Sequence, residues 1–124
     1  MRPSNSLIVN GVSCSNTFNS NVVWATDIIR CSFQMTVSSG RCAGSFKLQG
    51  SNDFATGLPP NQFNPTNWND IGSTSVACSS TATARSFLSP AVDIGYEYVR
   101  GVWSDASGGS ADGVVSVRFV AKAL

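Results

Sequence analysis

Residues 29–37 read Ile-Arg-Cys-Ser-Phe-Gln-Met-Thr-Val, an apolar–polar alternation with a period of two. Extended backbone turns successive side chains to opposite faces. The run therefore predicts a strand with Ile29, Cys31, Phe33, Met35 and Val37 on a core face and Arg30, Ser32, Gln34 and Thr36 on a wet one. Ser38-Ser39-Gly40-Arg41 reads as a turn, and residues 42–49 follow with Phe46 and Leu48 inward and Lys47 and Gln49 outward. Together these runs predict an antiparallel hairpin. In that register Val37 faces Cys42 and Cys31 faces Leu48. A Cys31–Cys42 disulfide is then disfavoured, because bridged Cα atoms must lie within about 7 Å.

Similar patterns recur downstream. Residues 96–103, Tyr-Glu-Tyr-Val-Arg-Gly-Val-Trp, predict a strand with Tyr96, Tyr98 and Val102 on one face and Val99 and Trp103 on the other. Asp105–Asp112 is a Gly/Ser-rich turn. Residues 113–121 then alternate with Val115, Val117, Phe119 and Ala121 on one side. Weaker strands are expected at Leu7–Val9, Val22–Ala25, Ser75–Cys78 and Ala84–Leu88, the last broken by Pro90. No window carries a capped helical stripe. About eight short strands joined by turns predict an all-β chain, an antiparallel β-sandwich or jelly roll. The length of 124 residues fits one domain, taken as residues 7–124 behind a short N-terminal arm at 1–6 that could reach a neighbour.

Residues 50–67 are irregular, with three prolines and two glycines that forbid a regular ladder. A loop of this length is usually functional or packed against a neighbour. Phe54, Leu58 and Phe63 lie in it and need cover, beneath the loop or on a partner. With Trp68, Tyr96, Tyr98 and Trp103 they are the interface candidates, since aromatic residues anchor cores and interfaces more often than ligand platforms.

Charged residues make up 12% of the chain and the net charge is +1. Polarity comes instead from 20 Ser, 8 Thr and 10 Asn. With no basic run, no nucleic-acid partner is expected. No apolar stretch approaches the roughly 18 residues that span a membrane, so no membrane insertion is expected. The chain holds no histidine, which removes the ordinary Ser-His and Cys-His nucleophile pairs. The seven carboxylates read as turn and surface residues, and no enzyme is expected. Asp105–Asp112 lacks the spacing of a calcium loop, so no metal or cofactor is assigned. Four cysteines, at 14, 31, 42 and 78, allow three disulfide pairings; buried free thiols are the preferred reading.

Two stretches carry a resemblance. Ser45-Phe46-Lys47-Leu48-Gln49-Gly50-Ser51-Asn52-Asp53 is followed by Pro65-Thr66-Asn67-Trp68-Asn69-Asp70-Ile71. Tyr96-Glu97-Tyr98-Val99-Arg100 and a Ser/Gly turn then lead to Val115–Lys122. The order resembles small bacteriophage virion proteins of the capsid decoration, cement or head-appendage type. The strand with its Gln-x-Ser-Asn-Asp and later Trp also resembles discoidin-like jelly rolls that bind sugars or lipids. The cysteines and the 54–64 insertion depart from both patterns. The first likeness implies a virion structural subunit, made in the host cytoplasm. It would form a homotrimer or other cyclic oligomer on a major capsid protein or another virion protein. The alternative is a jelly-roll carbohydrate-binding adhesin module.

Overall fold

The alternating run at 29–37 lies within β4 (Ile28–Ser38). Cys31, Phe33, Met35 and Val37 are each 3% exposed or less, and the residues between them turn outward. The structure, a computed structural model, describes residues 3–25, 28–38, 40–52, 67–72, 74–80, 85–89 and 91–123. In chain order the other strands are β1 (Pro3–Ser13), β2 (Phe18–Asn19), β3 (Val23–Trp24), β5 (Cys42–Ser51), β6 (Asn69–Asp70), β7 (Val76–Ser80), β8 (Arg85–Leu88), β9 (Val92–Asp93), β10 (Tyr98–Asp105) and β11 (Val114–Ala123).

They form two antiparallel sheets, as an all-β sandwich requires. The first has the order β1-β11-β4-β8, with β9 also on β4. The second has the order β2-β10-β5-β6, with β3 also on β10 and β7 on β5. Their inner faces share one core, to which β11 contributes Val115, Val117, Phe119 and Ala121 as its alternation predicts. Residues 3–6, expected as an arm, are here the start of β1; Pro3 lies opposite Lys122 and Ser6 opposite Phe119.

The expected hairpin of residues 29–49 does not form. β4 lies in the first sheet and β5 in the second, so the chain crosses between sheets after Ser38. Alternation identifies the buried face of a strand but not its partner. β4 pairs along its length with β11, from Ser38 opposite Val114 to Ile28 opposite Ala123. The crossing is tied down at its far side: Arg41 N donates to Asp112 Oδ1 at 2.7 Å, and Gly113 N donates to Arg41 O at 2.8 Å.

In the second sheet Trp103 lies opposite Phe46, and both are fully buried. Gly101 makes this possible, because a Cβ there would fall inside the Phe46 ring. The indole N–H of Trp103 donates to Cys14 O at 3.1 Å, so its one polar atom is satisfied in the core. Burying a large apolar side chain in this way contributes roughly 1.5–3 kcal/mol.

The expectation of four free thiols is corrected at one pair. Cys42 and Cys78 are disulfide-bonded, with Cα atoms 6.2 Å apart. Cys78 lies opposite Gly44, which places it diagonally from Cys42 on the core side. The bond was hidden because the partner lies 36 residues away, beyond the reach of a hairpin register. Cys14 and Cys31 are buried free thiols. Burial pushes each thiol up to about 11, helped at Cys14 by the charges of Asp105 and Asp112.

Candidate functional site

The outer face of the second sheet carries an ordered polar and aromatic row. Arg100 of β10 lies opposite Gln49 of β5, and Gln49 lies opposite Asp70 of β6. Directly opposed residues share a face, so the three side chains emerge together. Arg100 Nε donates to Gln49 Oε1 at 3.0 Å, and Gln49 Nε2 donates to Asp70 Oδ1 at 3.0 Å. Lys47 Nζ, from the next outward position of β5, donates to Asp70 Oδ2 at 3.0 Å. At the other end the Arg100 guanidinium stacks over Trp68, 4.4 Å from the ring centroid.

β6 has only two residues, yet Asp70 is firmly placed. Ile71 N donates to Leu48 O at 2.9 Å. The wholly buried Thr74 hydroxyl donates to Ile71 O at 2.7 Å and accepts from Leu48 N at 3.1 Å. The hydrogen bond from Gln49, and then that from Lys47, hold the Asp70 carboxyl below its ordinary value. Beside this row, Tyr98 lies opposite Ser51 on one side and Trp24 on the other. Trp24 is 60% exposed.

The interface candidates fall in different places. Phe54, Leu58 and Phe63 lie outside the described residues. Trp68 is half-buried under Arg100. Tyr98 is buried at the head of β10. Tyr96 precedes the strand, and its ring packs on Gly50 on the core side, so Tyr96 and Tyr98 do not share a face as expected. Trp103 is a fully buried core residue. The sequence reading missed Gln49, Asp70 and Arg100 as site residues. Gln49 reads as an outward position in the sequence, but the register that sets Asp70 and Arg100 beside it does not.

A second surface stands out on the outer face of the first sheet. Leu7, Arg118, Gln34 and Leu88 lie in one row across β1, β11, β4 and β8. Leu88 is 72% exposed and Leu7 40%. A shallow hollow of about 300 Å³ is lined by Leu7, Gln34, Thr36, Ser116 and Arg118.

Four of the carboxylates have structural duties. Asp93 pairs with Arg30 at 2.8 Å, and Asp112 receives Arg41 N. Asp105 closes its own turn by accepting from Ser107 N at 2.9 Å, Ser107 Oγ at 2.5 Å and Gly109 N at 3.1 Å. Asp70 belongs to the row above. The oxygens of Asp105 are thus aimed at the loop backbone, which is the chemistry of a turn.

No protein-family model and no curated protein matches the sequence. Solved structures do match in fold. SPBc2 prophage-derived protein YomS has 11% identity and a TM-score of 0.50, over 98% of this chain and 95% of its own. A subunit of Bacillus endospore appendages, described as disulfide-linked pili, has 9% identity and a TM-score of 0.46, over 99% and 88%. Chitosan-binding module 1 of a chitosanase/glucanase from Paenibacillus sp. IK-5 has 16% identity and a TM-score of 0.40, over 92% and 75%. At 11% identity the likeness to the prophage-derived protein is one of fold alone.

Proposed function

We propose that this protein is a structural subunit that works by assembly and not by catalysis, in a virion as a capsid decoration, cement or spike-base protein. The observation that carries the reading is the outward row Leu7–Arg118–Gln34–Leu88, with two leucines held in water at its ends. The reading takes these leucines as the apolar part of a contact with a second chain, since extended exposed apolar surface is what marks an interaction site. A cyclic homo-oligomer would cover them, and a capsid protein would meet the remaining surface. The low charge content fits a contact that resists salt, because little of it would rest on ion pairs. The sandwich shared with a prophage-derived protein is compatible with this role.

Fractionation of lysates from cells that naturally produce the chain tests the virion part. The expected result is co-migration with sedimenting particles, and density for the sandwich on their shell by electron microscopy. Confinement to the slow, soluble fractions overturns it.

A further inference from the structure

We propose that two copies of this chain join edge to edge through β1, antiparallel about a two-fold axis at Asn5, so that the first sheet runs on from one copy into the other. This contact rests on the assembly reading above and supplies its geometry.

The strands at the sheet edges differ sharply in length. β2, β3, β6, β7, β8 and β9 span two to five residues each. β1 runs for 11 residues and, among the described strands, pairs with β11 alone. An edge strand turns one side of its backbone N–H and C=O groups away from the ladder, ready to pair with another chain. Proteins that stay apart shorten such edges or place charges on them. β1 has neither protection: no charged residue occurs from Pro3 to Thr26.

Only the first half of this edge is open. Register shifts fall between Leu7 and Val9 and between Val9 and Val12. Irregularities of this kind bend a strand and end its pairing. There Ile8 O also accepts from Asn21 N at 3.2 Å. Pro3–Leu7, by contrast, keeps an unbroken register against Lys122–Arg118. An antiparallel pair of two identical stretches is two-fold symmetric, as an isologous dimer requires. Centred on Asn5, it sets Ser4 opposite Ser6 of the second copy and Leu7 opposite Pro3 of the second copy. Exposed Leu7 then lies within the seam at each end. Leu88 lies at the opposite edge of the sheet and is left to the further contact that the assembly reading requires.

Charge selects the edge over the face. Among the described side chains, the outer face of the first sheet carries Arg30, Arg118 and Lys122 against Asp93. Two copies laid face to face would oppose like charge. Edge to edge, β11 and its copy lie three strand spacings apart, roughly 14 Å. That exceeds the roughly 8 Å over which exposed charges act in physiological salt. The seam itself holds only uncharged residues.

The test is sedimentation velocity of the full chain, for which the wild type should form a dimer or an assembly of dimers. Asn5→Lys sets two like charges directly across the seam. It should weaken dimerisation tenfold or more, as should Asn5→Asp, and mixing the two variants should restore it. Retention of the wild-type melting temperature shows that each variant is folded. Asn5→Cys gives a reading independent of charge, since opposed Cα atoms about 4.5–5.5 Å apart lie within disulfide reach. Mild oxidation should link two Asn5→Cys copies. Asn10→Cys should stay unlinked, because its two copies would lie roughly 30 Å apart along the strands. A wild-type oligomer overturns the edge pairing if folded Asn5→Lys assembles as well as it does, if the mixed variants fail to recover, or if Asn5→Cys gives no cross-link; assembly by another surface then survives. A wild-type chain that stays monomeric overturns the edge pairing and the assembly reading together.

Discussion

Phe33 and Phe46 meet edge to face, their ring centroids 4.9 Å apart and their planes at 66°, although each comes from a different sheet. This contact joins the two layers at the centre of the core. It forms because β4 and β5 are stacked across the sandwich and not paired within one sheet. Phe46→Ala should cost about 3–5 kcal/mol, the range for emptying an aromatic site in a core. Gly101→Ala should also destabilise, since the new Cβ would enter the Phe46 ring. Urea denaturation of both variants checks these outcomes. A loss below about 1 kcal/mol for Phe46→Ala contradicts the packing.

The disulfide joins β5 to β7 across a separation of 36 residues. The double variant Cys42→Ser/Cys78→Ser should lose about 2–4 kcal/mol, mainly through greater freedom of the unfolded chain. Peptide mapping without reductant should show Cys42 linked to Cys78. Cys14 and Cys31 should resist alkylation at pH 8 in the folded protein, because burial raises both thiols to about 11. Rapid labelling of either one under native conditions contradicts their placement.

The pH dependence has two limbs. Hydrogen bonds lower Asp70 through Gln49 first, Asp105 through Ser107 first and Asp112 through Arg41 first, each from an ordinary 3.8. A lowered carboxyl stabilises the fold above its unfolded value. That contribution disappears as pH falls through the folded value, so stability should decline below about pH 4. The raised thiols act in the opposite sense. Their contribution is intact below the ordinary 9.0 and is lost as pH rises toward about 11. Thermal melts from pH 2 to 11 should show a plateau between these limbs. Cys14→Ala/Cys31→Ala should flatten the alkaline limb, and Asp112→Asn should flatten part of the acid one.

Much of this architecture was legible in the residues, for a physical reason. A strand with one dry face writes its orientation into every second residue, so the inward sets of β4, β5 and β11 could be read directly. Pairing is written elsewhere. Nothing local distinguishes β5 from β11 as the partner of β4, because both present an apolar face. β10 was harder still, with large groups on both sides. The deciding signal was small: Gly101 and Gly50 leave room on the inner face for Phe46 and Tyr96. Trp24 sits in a strand of two residues, too short to show a period, so its exposure had no sequence signature. The row Arg100–Gln49–Asp70 needs three strands in register before it exists at all.

The central claim is that the chain assembles through the leucine-ended face of its first sheet. Sedimentation velocity of the full chain, from about 1 to 200 µM and with NaCl up to about 1 M, tests it most directly. The account predicts a discrete oligomer that persists in high salt. Leu7→Ser/Leu88→Asp should convert it to a monomer with an unchanged melting temperature. A wild-type chain that stays monomeric at every concentration, or a double variant that assembles as the wild type does, contradicts the account.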